Sequence, residues 1–248
     1  MLLHIPHSQK HIPEEYLQYF HLSDSDLDVE LLKMTDHFTD QLFECSQSNC
    51  SKIIFPVSRL LVDPERFVMD ADEPMSARGM GCIYEKTHDQ NPLKDSCAIR
   101  QLLIDRYYET HHVQFAALVN KELEQTDRSL IIDCHSFPKY PLTYEMDQTS
   151  DRAEICIGTD DFHTPHNLAV GVKEGFSNAG FSTALNEPFA GAIVPIEHYR
   201  KNKAVTSIMI EIRRDLYMDE VTGRKIENFF TVKNTITEVL QELAKQHG

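Results

Sequence analysis

Positive charge is scarce in this sequence. Its 248 residues carry 24 Lys and Arg against 39 Asp and Glu, a formal net charge of −15. A field of that sign repels phosphate backbones and anionic lipid. No cluster of Lys and Arg offsets it locally, so neither nucleic acid nor a membrane surface is an expected partner. No apolar run approaches the roughly 20 residues that a spanning helix needs. The opening Met1-Leu2-Leu3-His4-Ile5-Pro6-His7 has no basic stretch and no cleavage site, so no secretory signal is expected. The six cysteines, at 45, 50, 82, 97, 134 and 156, form no CxxC pair. A chain of this length needs no disulfide framework, and they read as reduced thiols of a cytoplasmic protein. HExxH, GxSxG, a Walker A loop and the dinucleotide GxGxxG are absent too. With them go the commonest zincin, serine-hydrolase and nucleotide readings.

What is present is a soluble globular composition, 41% hydrophobic and 25% charged, on a length that can bury one sizeable core. No repeat or linker divides the chain, so residues 1–248 are expected to form a single domain. Short, nearly continuous apolar runs mark strands at Leu2-Leu3-His4-Ile5, Lys52-Ile53-Ile54-Phe55, Ser129 to Asp133, Glu154 to Ile157 and Val205 to Ile212. Helical patterns lie between them. One starts at Thr35-Asp36, a long one covers about 95 to 124, one opens at Thr164-Pro165 and ends near Gly180, and one runs from Asn228 to His247. This alternation predicts an α/β fold, a three-layer sandwich whose mixed, mostly parallel sheet has helices on both faces. The polar, aperiodic stretch Asp70 to Asn91 reads as a long surface loop of the kind that often serves as a lid.

Ligands of open α/β sheets gather beyond the carboxyl ends of the strands, so the residues just past each strand are candidates. They are Pro6-His7-Ser8, then Ser58-Arg59 and Asp63-Pro64-Glu65-Arg66-Phe67, then Asp133-Cys134-His135-Ser136, then Gly158 to His163, with Glu211 near the end of the last strand. Imidazoles, carboxylates and guanidinium groups in one place are what metal-assisted hydrolysis needs. Zinc takes neutral imidazoles and a carboxylate, a second carboxylate moves the proton, and an arginine holds a substrate carboxylate or a developing oxyanion.

Each residue also has a plainer explanation. His7 taken alone reads first as a hydrogen-bonded turn residue, and Asp133 with His135, two apart on one strand face, is equally a satisfied polar cluster. Asp36 and Asp40, one turn apart, read first as a cap and a first-turn carboxylate. Glu211 is sharper, because a carboxylate inside Ser207-Ile208-Met209-Ile210-Glu211-Ile212 costs several kcal/mol to bury unless it is paired or used; its alternative is an ion pair with Arg213 or Arg214. Cys134 reads as a small buried hydrophobe. As strand neighbours, Cys134 and His135 point to opposite faces, which disfavours a thiol hydrolase.

Taken in order, Pro6-His7-Ser8, Thr35-Asp36 with Asp40 and Leu42, Ser58-Arg59-x-x-Val62-Asp63-x-x-Arg66 and Asp133-Cys134-His135-Ser136 resemble the N-formylglutamate amidohydrolase family. So do Gly158-Thr159-Asp160, Phe189-x-Gly191, His198-Tyr199 and Met209-x-Glu211-Ile212-x-Arg214-x-Leu216-Tyr217-Met218, and together they span about residues 5 to 220. The resemblance extends to zinc carboxypeptidases and the aspartoacylase group. It implies a zinc carboxypeptidase-like fold, one Zn2+ and hydrolysis of an acyl group from an amino acid.

On that basis His7 and His135 are the two histidine ligands and Glu211 the general base. Asp63-x-x-Arg66-Phe67 resembles the D-x-N-R-x-F element, which places Arg66 on the substrate carboxylate or carbonyl. Carboxypeptidases carry a Glu three residues after the first His; here that position is Lys10, and Asp36 is the expected replacement. Arg59, Asp63, Arg214, His112, His163 and His198 are the expected substrate-binding residues. Gln9, Glu65 and Ala192 depart from the family pattern, and Glu65 sets a negative charge beside Arg66. The expected activity is metal-dependent hydrolysis of an N-acyl amino acid of the N-formyl type. A carboxypeptidase or amidase acting on a peptide-like substrate, and a binding protein that has lost turnover, remain alternatives.

Overall fold

The computed structural model describes residues 1–44 and 50–247; Cys45 lies outside the described residues. In chain order the principal elements are β1 (Leu2–Ile5), α1 (Glu14–Leu17), α2 (Asp24–Met34), α3 (Thr39–Leu42), β2 (Ser51–Ile54), α4 (Arg100–Leu103), α5 (Thr110–Thr126), β3 (Ser129–Phe137), β4 (Ile155–Gly158), α6 (His166–Asn178), β5 (Thr183–Leu185), β6 (Val205–Arg213), the short pair β7 (Met218–Asp219) and β8 (Arg224–Lys225), and α7 (Phe229–His247). A π-helical turn, Ile104–Glu109, joins α4 to α5.

Six strands form one sheet in the order β2-β1-β3-β6-β4-β5. Every pairing is parallel except β4 with β6. The near-continuous apolar runs arise because helices cover both faces, so residues of either parity are buried; all nine of β3 are. On one face Leu3, Ile5, Leu130, Ile132, Ile208 and Ile210 pack under α6 and α7, which contribute Leu168, Val172, Phe176, Val232, Ile236 and Leu240. On the other, Leu2, Ile53, Ile131 and Val205 pack under Phe115 and Val119 of α5. The architecture is the expected three-layer α/β sandwich.

Two local expectations are corrected and one helix is added. Thr35 does not start a helix. It caps the C-terminus of α2, and the next helix begins only at Thr39, after Phe38 takes a left-handed conformation with φ of 65°. Helix α2 itself had been overlooked, although Ser23 accepts a hydrogen bond from Asp26 N at 3.2 Å in the usual N-cap manner. Finally, the stretch Asp70 to Asn91 is irregular but not a surface loop, because Met80, Cys82, Ile83 and Tyr84 anchor it in the interior. Cys134 packs with the apolar cluster on the face opposite Asp133 and His135, and burial pushes its thiol well above the ordinary range.

Candidate active site

Pro6 ends β1 and leaves His7 just beyond the carboxyl edge of the sheet. Its Nε2 lies 2.9 Å from Asp63 Oδ1. Asp63 is in turn held by Arg59 Nη2 at 2.8 Å, by the Tyr84 hydroxyl at 2.6 Å and by the backbone N–H of Glu65 at 3.0 Å. Burial alone would raise its pKa, but the charges of His7 and Arg59 outweigh burial and hold the carboxyl well below the usual range. With Nε2 committed, the other ring nitrogen of His7, Nδ1, is buried and has no hydrogen-bond partner.

That nitrogen faces Asp36 Oδ2 at 3.6 Å. Asp36 sits in the link between α2 and α3, fixed to the end of β1 because its N–H donates to the carbonyl of His7 at 3.0 Å. Its Oδ1 accepts from Arg214 Nη2 at 2.9 Å; its Oδ2 accepts from Ser136 N at 3.2 Å and lies 3.1 Å from His135 Nδ1. Here too the cationic neighbours overcome burial, and the carboxyl stays well below its ordinary range.

The register of β3 supplies His135, whose ring centroid is 5.1 Å from that of His7. Its Nε2 lies 3.1 Å from Asp133 Oδ1 and 3.1 Å from Glu65 Oε2. Parallel pairing sets His4 of β1 opposite Asp133. His4 Nδ1 is 2.9 Å from Asp133 Oδ1, and its Nε2 is 3.0 Å from Nε2 of His111 on α5. His111 remains neutral, pushed down to about 2 by burial and by the neighbouring imidazoles.

The neighbouring strand β6 puts Glu211 directly opposite His135, on the same face. One of its oxygens, Oε2, is buried without a hydrogen-bond partner. Burial, reinforced by the negative charges of Asp36 and Glu65 and opposed by His135 and Arg214, pushes its pKa up to about 8.

Among the described residues two sets of side chains converge closely enough to share a cation, His7–Glu65–His135 and His4–Glu65–Asp133, with ligand atoms within 4.8 Å of one another in each. Glu65, read from the sequence only as a departure, belongs to both. The histidine pair therefore meets carboxylates on two sides, Asp36 and Glu65.

These groups open into a cavity of about 950 Å³, lined by His7, Asp36, Arg59, Arg66, His135, Glu211 and Arg214 among others. His112 reaches its wall, but its Nε2 sits 2.8 Å from the Pro64 carbonyl, and burial lowers its pKa to about 4. His163 and His198 do not line the cavity. His163 Nδ1 sits 2.8 Å from the Val205 carbonyl while its Nε2 accepts from Arg200 N, and His198 Nε2 lies 2.8 Å from Asn120 Oδ1. Sequence reasoning missed His4, Glu65 as a possible ligand, and Tyr84, which lies in the stretch taken for a surface loop.

The far wall of the cavity depends on a glycine. Gly158 ends β4, and a Cβ there would collide with Met209 and with the carbonyl of Gly191, both of which line the cavity. Gly158→Ala is therefore expected to displace that wall and lower the thermal midpoint by several degrees, about 1–3 kcal/mol of overpacking. Scanning calorimetry reads this, and an unchanged midpoint would contradict the close packing.

The cavity thus gathers imidazoles, carboxylates and guanidinium groups at one edge of the sheet. The profile of the N-formylglutamate amidohydrolase family matches residues 1–218, and the chain belongs to that family. Membership makes it an enzyme of the amidohydrolase class. Among solved structures, the N-formylglutamate amidohydrolase from Ralstonia eutropha JMP134 superposes with a TM-score of 0.86 at 23% identity, covering 99% of this chain and 92% of that one. A gene product of Agrobacterium tumefaciens is similar with a TM-score of 0.61 at 18% identity, covering 98% and 91%. No curated protein matches the chain. Among the described residues no helix is long and apolar enough to cross a membrane.

Proposed function

We propose that the chain is a metal-dependent amidohydrolase that cleaves the amide of an N-acyl amino acid of the N-formyl type, releasing a carboxylic acid and a free amino acid. The observation that carries the reading is Nδ1 of His7, buried without a hydrogen-bond partner and 3.6 Å from the Asp36 carboxylate, beside the His135 ring. Such a set fits Zn2+, which takes imidazole nitrogens and a carboxylate oxygen.

His7 and His135 would hold the ion, with Asp36 as third ligand and Glu65 as the alternative. Asp36 is fixed by Arg214 and the Ser136 N–H and lies near both rings, whereas Glu65 is the carboxylate whose oxygen converges with both imidazoles within 4.8 Å. Asp63 and Asp133, beside His7 Nε2 and His135 Nε2, would supply the carboxylate support that metal-binding histidines require. When bound, the ion supplies Lewis acidity, polarising the scissile carbonyl and bringing the pKa of water to roughly 7.

Glu211 then takes the proton of the attacking water and hands it to the departing nitrogen. Its unpartnered oxygen leaves it free for that transfer, and its apolar strand keeps it from being levelled by solvent. Arg66 holds the substrate carboxylate. Arg59 and Arg214 spend their donors on Asp63 and Asp36 and act by fixing them.

The test is metal content together with turnover of N-formyl amino acids. About one equivalent of metal is expected, with activity lost on chelation and restored by Zn2+. Full activity in metal-free protein would overturn the reading.

A further inference from the structure

Resting on that reading, we infer that the substrate carries a single carboxylate and a large apolar group, so that formylglutamate itself, with two carboxylates, is a poor substrate. Charge comes first. Eight carboxyl side chains line the cavity against three guanidinium groups and, among the described residues, no lysine. Asp36, Glu65 and Asp133 face the histidines and Glu145 pairs with Arg152, which leaves Asp72, Glu109 and Asp147 to set the charge away from them.

Two of the three arginines are spent. Arg59 binds Asp63 and the Tyr84 hydroxyl. Arg214 binds Asp36, the carbonyls of Lys33 and Ser136, and the Ser136 hydroxyl. Only Arg66 keeps donors in reserve. Its Nε is buried and unpartnered, and its nearest carboxylates, Asp63 and Glu73, stand off at 3.8 Å. One free fork recognises one carboxylate. Away from the two histidines and the ion they would hold, a second carboxylate would meet acidic side chains and, among the described lining residues, no free guanidinium and no lysine, a cost that grows as water is expelled.

Shape and surface agree. A cavity of about 950 Å³ is at the upper end of the roughly 300–1,000 Å³ that holds drug-sized ligands. Its walls include Phe137, Leu142, Phe189 and Val194. At its mouth Phe67, Met69, Val113, Met146 and Ile196 are between 50% and 74% exposed. Exposed apolar side chains gathered on the lining of one cavity mark a ligand surface. Neither charge nor size matches a small dianion; both match an apolar monoacid. The apolar part is either the amino-acid side chain or the acyl chain, which present the same chemistry to this wall.

The experiment compares N-formyl-L-phenylalanine, N-octanoylglycine and N-formyl-L-glutamate on the metal-replete enzyme. At least one of the first two should exceed the glutamate compound in kcat/KM by tenfold or more, and which one does assigns the apolar part. Phe67→Ser should narrow that preference. Equal or greater efficiency on the glutamate compound overturns the inference. Should none of the three be turned over, hydrolysis fails as the reading, and calorimetric binding of the same compounds decides the specificity. Tenfold tighter binding of an apolar compound sustains the inference, while binding that favours glutamate, shows no preference or is absent for all three refutes it.

Discussion

Glu211→Gln is expected to lower kcat by about 10²–10⁴, the range general-base catalysis contributes, while metal content stays at the wild-type level. The substitution keeps size and hydrogen-bonding shape and removes only the ability to accept a proton. No neighbour can take over easily. Asp36 is saturated by Arg214, Ser136 and His135, and Glu65 lies against His135.

The pH profile supplies a second measurement. A base must be ionised to act, so the acid limb of kcat/KM should rise with pH through the Glu211 pKa. That value is about 8 in the metal-free protein and lower beside a cation. The limb should vanish in the Gln variant. Stability moves the other way: with its pKa raised on folding, Glu211 binds more protons in the folded chain than in the unfolded one. In metal-free protein the Glu211 contribution to stability should therefore fall as pH climbs from about 4.5 to about 8, the ordinary and folded values, so the stability of wild type relative to the Gln variant should decline across that range. Near wild-type turnover in that variant would remove Glu211 from the role of base.

How far the sequence reaches can be judged from single residues. The strands were legible because burial on both faces leaves short, nearly continuous apolar runs, and the positions at and past their ends follow directly. That placed His7, Asp133, His135 and Glu211 before any coordinates. Asp36 was named, but its setting was not. Phe38 at φ of 65° is conformationally uncommon for an aromatic residue, and no local pattern announces that a helix ends at Thr35 rather than begins.

His4 stood out only through the His4-x-x-His7 spacing, a weak signal among thirteen histidines, because its partners come from register and packing. Asp133 lies 129 positions away and His111 lies 107 away. Tyr84 was hidden for the opposite reason. Its stretch has no periodicity, yet long-range packing buries it and delivers its hydroxyl to Asp63. What sequence conceals here is contact order, not chemistry.

His135→Ala should abolish metal binding and activity together, because this ring is the junction of the site. One nitrogen meets Asp36 and the other meets Asp133 and Glu65. Removing an outer hydrogen-bond partner of a metal ligand already costs roughly 10–100-fold in affinity, and removing the ligand itself must cost more. Three carboxylates also lose a shared partner. Breaking a buried pair costs about 3–5 kcal/mol, so the variant is expected to be less stable, and loss of activity alone would not identify a ligand.

His135→Asn separates the two effects. It restores a donor to Asp36 without an imidazole, so it should recover much of the thermal midpoint and none of the metal. Elemental analysis of the folded Asn variant then decides the matter. Stoichiometric zinc in that variant would mean that the ion is not bound by His135, and with it the pairing of two distant strand-end imidazoles around one cation would have to be abandoned. Zinc-free but folded protein, set beside a Glu211→Gln variant that is zinc-replete but slow, would separate holding the metal from moving the proton.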